Sequence, residues 1–398
     1  LIKASIEAET YFLYQNMNKT ILVFGTRPEL IKLFPIISEF KKRGLRDRLI
    51  VINSNQHYSL LDQLIDLFEV DIDYNLNINN TSNNLSILTS EIIKELEIAI
   101  QQIELNNHVN AIIVQGDTST TFCSSIVAFY HKIDIHYVEA GLRTDDISKP
   151  FPEEFHRRVI SHAAKFLYAP TKSARNNLIN EGFFSDQIIV TGNTIIDTIQ
   201  LMEANFEPQI ESNENNLVLC TMHRRENHGN KFVSFYESLV SLAKDYPTYN
   251  FKLIKHPNPE VQKVIDSSSI QLPENLTISN PIPYPKMIDL LQNSCLIITD
   301  SGGLQEEASY FLKPMIVLRD STERIESIKS GIAICHSGEY SLEKPFLKMK
   351  DLIIDDCNKY LYGSGKAAEM IVDKILRPIE STAPPELTDG VRLSHHPR

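Results

Sequence analysis

From residue 20 onward, short runs of aliphatic and β-branched residues alternate with longer stretches whose apolar positions recur at helical spacing. Thr20–Phe24 reads as a buried strand and Glu29–Arg43 as a helix. Arg48–Asn53 predicts a second strand, followed by a helix near Leu60–Phe68 and a longer amphipathic helix over Leu85–Ile103. Ala111–Gln115 is a strand, Ser119–His131 a helix and Ile135–Val138 a strand; Phe166–Ala169 and Gln187–Val190 continue the series. After residue 193 the pattern starts afresh, with strands at Leu217–Cys220, Phe251–Ile254, Leu276–Ile278, Leu296–Thr299 and Met315–Leu318 and helices between them. Uniformly apolar strands separated by helices predict parallel sheets covered on both faces. The fold class is therefore α/β, with two Rossmann-like doubly wound domains and a cleft between them.

Ala204–Asn216 is polar, contains Pro208 and reads as a linker, which places a boundary near 193–213. The expected organisation is a first domain over 17–192 and a second over 193–380. Residues 1–16 lack the basic and apolar regions of a signal peptide, so Met17 is the expected natural start and the preceding segment an appended one. The tail over 381–398, with Pro384-Pro385 and His395-His396-Pro397, is expected to be unstructured.

At 398 residues the chain exceeds one ordinary core. Its 42% hydrophobic and 23% charged residues are near the globular average, which removes disordered and fibrous classes. No apolar run approaches the roughly 20 residues that span a bilayer. A net charge of −12 without a basic stripe argues against a nucleic-acid partner. An acidic protein that binds an anion must gather its cations in one place. The five cysteines (Cys123, Cys220, Cys295, Cys335 and Cys357) are odd in number and widely spaced, which suits reduced thiols of a cytoplasmic protein.

In open parallel sheets ligands bind beyond the carboxyl ends of the strands, so the residues just after each strand carry the chemical reading. Gly25-Thr26-Arg27-Pro28-Glu29 follows the first strand: glycine for a tight turn, proline at a helix start, and Arg27 at a helix N-terminus suited to an anion, with Lys32 on the same helix. This is no Gly-x-Gly-x-x-Gly fingerprint, so a redox dinucleotide is not indicated. Asp117, after the third strand, reads as a base, a metal ligand or a helix cap. Glu139 follows the next strand, and Glu153-Glu154 opens a helix, where a charge in the first turn is the plain alternative. Several carboxylates converging on one cleft can divide acid from base roles.

In the second half, His223-Arg224-Arg225 arrives just past a strand and offers phosphate contacts and proton exchange. Thr299-Asp300-Ser301-Gly302-Gly303 delivers a strand into a glycine-opened helix, whose free N–H groups suit a pyrophosphate. Glu307 lies one turn further, and Arg324 follows the next strand. No His-Glu-x-x-His, Cys-x-x-Cys or Gly-x-Ser-x-Gly occurs, so neither a metal site nor a serine nucleophile is indicated.

Together these segments resemble the non-hydrolysing UDP-N-acetylglucosamine 2-epimerase family. The matches are GTRPELIK (25–32), NQH (55–57), GDT (116–118), VEAGLRT (138–144), PFPEE (150–154), TGNTIID (191–197), HRREN (223–227), HPNP (256–259), TDSGGLQEEA (299–308) and RDSTER (319–324). The resemblance implies a GT-B-like architecture, a homodimer, no cofactor and no metal. It implies UDP-GlcNAc and UDP-ManNAc as ligands, interconverted by elimination of UDP to 2-acetamidoglucal and re-addition, to supply a ManNAc-type precursor of cell-surface polysaccharide. It further implies a catalytic set of Asp117, Glu139, Glu153 and His223. Arg27, Lys32, His223, Ser301, Gly302, Gly303, Glu307 and Arg324 become the substrate and UDP contacts.

Two departures stand out. Ile325 replaces the proline of the family's TERPE segment, which puts the loop geometry there in question. The family's second, activating UDP-GlcNAc site uses Gln56 and His57, which match, but also an arginine that 79–83 lacks. Weak or absent activation by substrate is expected. The competing readings are a hydrolysing 2-epimerase releasing ManNAc and UDP, a GT-B glycosyltransferase, and a UDP-sugar sensor without catalysis.

Overall fold

The structure is a computed structural model that describes residues 18–56, 61–78, 84–144, 146–205, 216–222, 229–255, 259–267, 270–337 and 341–377. Among these residues the strands form two wholly parallel sheets. The first holds β1 (Asn18–Phe24), β2 (Leu49–Asn53), β3 (Tyr74–Asn75), β4 (His108–Gln115), β5 (Asp134–Val138), β6 (Phe166–Ala169) and β7 (Ile188–Val190), in the order β3-β2-β1-β4-β5-β6-β7. The second holds β8 (Leu217–Thr221), β9 (Asn250–Ile254), β10 (Leu276–Ser279), β11 (Ser294–Thr299), β12 (Met315–Val317) and β13 (Ala333–Cys335), in the order β10-β9-β8-β11-β12-β13. Each sheet reverses its winding once, between β1 and β4 and between β8 and β11. Side chains after those strands therefore face the crevices where doubly wound sheets take ligands.

The helices are α1 (Arg27–Lys42), α2 (Asp62–Leu67), α3 (Leu85–Glu104), α4 (Ser119–Tyr130), α5 (Glu153–Ala163), α6 (Lys172–Asn180) and α7 (Thr194–Asn205). They continue with α8 (Asn230–Asp245), α9 (Pro259–Ser267), α10 (Tyr284–Asn293), α11 (Gly302–Tyr310), α12 (Ile325–Lys329), α13 (Glu343–Met349) and α14 (Ala367–Leu376). No helix among the described residues is long and apolar enough to cross a membrane.

The central strands are buried on both faces, as the uniformly apolar runs require: Leu22 and Phe24 face one cluster, Ile21 and Val23 the other. One cluster runs between the two sheets, joining Leu22, Phe24 and Leu30 to Ile195 and Ile199 of α7, Ile371 and Val372 of α14, and Leu219 and Ile297 of the second sheet. The last helix, α14, returns to pack on α1 and α7. The first part of the 193–213 stretch is the helix α7, whose Ile195, Ile196, Ile199 and Met202 are buried, because the polar run begins only near Ala204. Residues 206–215 and the two chain ends lie outside the described residues.

Candidate active site

β1 ends in Phe24, and Gly25 follows in a crowded corner. A Cβ on Gly25 would fall 2.0 Å from Ser54 Oγ and 2.5 Å from Thr120 Oγ1. Glycine is thus demanded by the close approach of neighbouring elements, and no left-handed turn is involved. Pro28 sits in the first turn of α1, as expected. The next residue, Glu29, is buried and folds back over this corner. Its carboxylate accepts from Gly25 N at 3.0 Å, Thr118 Oγ1 at 2.6 Å and Thr121 Oγ1 at 3.0 Å. Burial pushes its carboxyl above the usual range, and these hydrogen bonds act the other way.

Thr118, and not Asp117, caps α4, accepting from Thr121 N at 3.2 Å. Asp117 is left to Arg157 of α5, which donates to its Oδ2 through Nε at 2.8 Å. His156 Nδ1 lies 2.8 Å from the Asp117 carbonyl. Arg157 thereby ties the end of β4 to α5, whose first residue is Glu153.

Glu139 follows β5 in the left-handed region, at φ 67°. For a residue with a Cβ this costs about 1–2 kcal/mol, so its surroundings must hold it there. They do so through the side chain. Lys32 Nζ lies 2.5 Å from Oε1, Asn193 Nδ2 donates to Oε1 at 3.0 Å, and Arg324 donates at 3.3 Å. Gln115 Nε2 donates to the second oxygen, Oε2. Burial opposes the charge of Glu139, but Lys32 and Arg324 outweigh it and hold the carboxyl below its ordinary value.

The second sheet supplies the facing wall. Ser301 follows β11 and caps α11, its Oγ accepting from Leu304 N at 3.4 Å. Arg324 stands directly before α12 and is buried. Its guanidinium reaches Glu306 of α11 at 3.0 Å, Glu139 across the cleft, and Glu323. Ile325 in place of proline does not prevent this: Arg324 N donates to Thr322 Oγ1 at 3.2 Å, which helps set the loop. A Cβ on Gly302 would meet Arg324 Cζ at 2.9 Å, so this glycine clears room for the guanidinium. Lys32 also lies 3.0 Å from Glu306 Oε2. Glu307 points the other way and accepts from Tyr284 Oη at 2.8 Å; burial pushes its carboxyl up to about 7.

Two adjoining cavities result. The larger, about 570 Å³, is lined by Arg27 and Ile31 of α1, by Ile282, Pro283 and Tyr284, and by Glu307. The smaller, about 300 Å³, is lined by Asp117, Glu139, Glu153, Arg157, Gly302 and Arg324. Lys32, Ser301 and Gly303 line both, so the N-terminus of α11 stands where the two meet. One cavity is largely apolar with a carboxylate at its edge; the other is densely charged. A helix N-terminus and Lys32 where they meet, with Arg27 in one cavity and Arg324 in the other, suit a diphosphate joining an apolar group to a polar one.

Of the expected residues, Arg27, Lys32, Asp117, Glu139, Glu153, Ser301, Gly302, Gly303, Glu307 and Arg324 all line this cleft. His223 lies outside the described residues, as does His57. Arg157, Glu306 and Glu323 belong to the same charged cluster and Glu29 lines the smaller cavity; none was among the expected residues. Each adjoins or lies within a stretch the reading above picked out, but adjacency does not reveal which way a side chain turns. Among the described residues, no group of three His, Cys, Asp or Glu side chains is placed to hold a metal ion.

Two facing parallel-sheet domains with a cleft between them define a GT-B-like protein. The solved structure of the glycotransferase of kitacinnamycin shares that fold at a TM-score of 0.62 and 11% identity, over 90% of this chain and 99% of that one. A model of the UDP-N-acetylglucosamine 2-epimerase family matches residues 40–376. The UDP-N-acetylglucosamine 2-epimerase of Neisseria meningitidis serogroup A is 38% identical, over 90% of this chain and 99% of the relative. A crystal structure of the Neisseria meningitidis enzyme bound to UDP-GlcNAc superposes with a TM-score of 0.78 at 37% identity, over 90% of this chain and 99% of that one. The Methanocaldococcus jannaschii enzyme in complex with UDP-GlcNAc and UDP gives 0.77 at 32%, with the same coverage. The chain belongs to the UDP-N-acetylglucosamine 2-epimerase family.

Proposed function

We propose that the protein interconverts UDP-GlcNAc and UDP-ManNAc by the non-hydrolysing route. The supporting observation is the division of the cleft. Lys32 and the α11 N-terminus stand where the larger, mostly apolar cavity meets the smaller one, in which Arg324 joins Asp117, Glu139 and Glu153. In this reading the uridine enters the larger cavity, with Glu307 accepting from ribose hydroxyls. The diphosphate lies over Ser301–Gly303, and the hexose faces the carboxylates.

C2 of an N-acetyl sugar has no neighbouring carbonyl in the ring, so its proton is weakly acidic. Elimination solves this. A carboxylate takes the C2 proton, the C1–C2 double bond forms, and the C1–O bond breaks with its electron pair leaving on the diphosphate. Arg27, Lys32, Arg324 and His223 stabilise that leaving charge. A proton delivered to the opposite face of C2, with diphosphate oxygen returning to C1, gives the epimer. Proton exchange falls to Asp117, Glu139 and Glu153, of which Glu139 enters as a charged group held by its cations. The route as written uses neither a hydride acceptor nor a metal. The cleft must stay closed while the glucal and UDP coexist, or both escape.

The resemblance further supports a cytoplasmic homodimer that feeds a ManNAc-type precursor to cell-surface polysaccharide. Product analysis tests the route. Incubation with UDP-GlcNAc followed by anion-exchange chromatography and mass spectrometry is expected to yield UDP-ManNAc at equilibrium with substrate. Accumulation of free ManNAc with UDP would instead establish the hydrolysing reaction.

A further inference from the structure

The TGNTIID stretch (191–197) takes no part in the reaction above, yet it sits where the chain crosses between the sheets. Asn193 is buried and bonded on three sides. Its Oδ1 accepts from Ile195 N at 3.1 Å, capping the start of α7. Its backbone N donates to the Tyr362 carbonyl at 2.7 Å. Its Nδ2 donates to Glu139 Oε1 at 3.0 Å.

Tyr362 belongs to the return crossing, which leads from the second sheet into α14. The two crossings touch through glycine: a Cβ on Gly192 would lie 2.9 Å from Gly363 Cα, and both residues have positive φ. Tyr362 is buried and its Oη lies 2.7 Å from Ser327 Oγ on α12, the helix that follows Arg324. Ser327 Oγ in turn lies 3.1 Å from Ser309 Oγ on α11. A continuous set of hydrogen bonds therefore runs from Glu139, through both crossings, to α11, which opens onto the cleft, and to α12, the helix that Arg324 precedes.

Lys32, Gln115 and Arg324 approach Glu139 from the cleft walls; the amide of Asn193 approaches it from the crossing. Four partners thus hold the Glu139 carboxylate, and through it the left-handed backbone that bears it. We infer that Asn193 is a positioning residue that aims the Glu139 carboxylate and ties its aim to the seating of the two interdomain crossings. This rests on the reading that Glu139 acts on the sugar.

The test compares Asn193→Ser and Asn193→Ala with the wild type, measuring kcat, KM, UDP affinity by calorimetry and Tm. Serine caps a helix about as well as asparagine, so the bond to Ile195 survives, but its side chain is too short to reach Glu139. Both variants are expected to lose kcat by roughly tenfold to a hundredfold, the effect of misplacing a reacting group by about 1 Å. UDP affinity is expected to stay within about twofold, and the alanine variant, which loses the cap as well, to melt lower than the serine variant. If Asn193 is merely a cap, Asn193→Ser will keep wild-type kcat, and the inference falls. It falls as well if kcat and UDP affinity decline together. A wild-type protein that neither forms UDP-ManNAc nor exchanges the C2 proton sinks the functional reading instead, and this inference with it.

Discussion

Replacing Arg324 with alanine removes the cation on which three buried carboxylates converge. Glu306 lies 3.0 Å from the guanidinium and Glu139 3.3 Å, with Glu323 also in contact. Breaking one buried ion pair typically costs about 3–5 kcal/mol, because the partner's charge is left uncompensated. Here Lys32 still serves Glu139 and Glu306, and Arg319 lies 2.8 Å from Glu323. The lower end, about 3 kcal/mol, is therefore expected, or a fall in Tm of roughly 6–12 °C. The loss should depend on pH. In the wild type, Glu139 is held below its ordinary pKa, so its contribution is present above the unfolded value and fades as pH falls through the folded one. Without Arg324 its carboxyl moves up, and Glu306, already raised by burial, moves with it. A raised folded pKa makes stability fall as pH rises, so the deficit should be larger at about pH 8 than at an acidic pH where these carboxylates take up protons. The chain has no tryptophan, so circular dichroism melts at the two pH values are the suitable assay. Calorimetry with UDP should show affinity weakened by about 1.5–3 kcal/mol, roughly tenfold to 150-fold, for the lost charge-assisted bonds. A Tm deficit that is equal at both pH values, or that grows on acidification, would refute the reasoning.

Glu139→Gln and Asp117→Asn are expected to abolish turnover while leaving UDP affinity within about threefold of wild type, checked by product formation and calorimetry. Gly303→Ala meets no atom within 4 Å, so the variant should melt like wild type; if the diphosphate lies over this residue, UDP affinity should nonetheless fall by at least about tenfold. Glu307 has a folded pKa of about 7, above its ordinary 4.5, so it lowers stability as pH rises between those values; Glu307→Gln should therefore gain Tm relative to wild type above pH 7 and lose that advantage near pH 5. Initial-rate measurements should give hyperbolic substrate kinetics, because the arginine of the family's activator site has no counterpart in 79–83.

The strands were legible because burial on both faces leaves uniformly apolar runs, as at Leu22, Val23 and Phe24. Tyr74–Asn75 and Ala333–Cys335 escaped because they are short, incompletely buried edge strands and so lack a uniformly apolar run. The cleft was legible at strand ends, where topology alone delivers Glu139 and Ser301 to one crevice. What spacing could not supply was side-chain direction. Glu306 and Glu307 are neighbours on α11, yet one meets Lys32 and Arg324 and the other meets Tyr284. Likewise Thr118 took the cap that Asp117 was equally able to make, which leaves the aspartate facing Arg157. Nothing in the 191–197 segment reveals that the amide of Asn193 meets a glutamate 54 residues away.

The claim on which the rest depends is that carboxylates of the first domain exchange the C2 proton of a sugar whose diphosphate is gripped by the second. Proton NMR of the purified protein with UDP-GlcNAc in deuterated water reads that exchange directly. The account predicts a growing UDP-ManNAc anomeric signal and deuterium at C2 in both epimers. A spectrum in which the C2 proton persists and no new anomeric signal arises would contradict it.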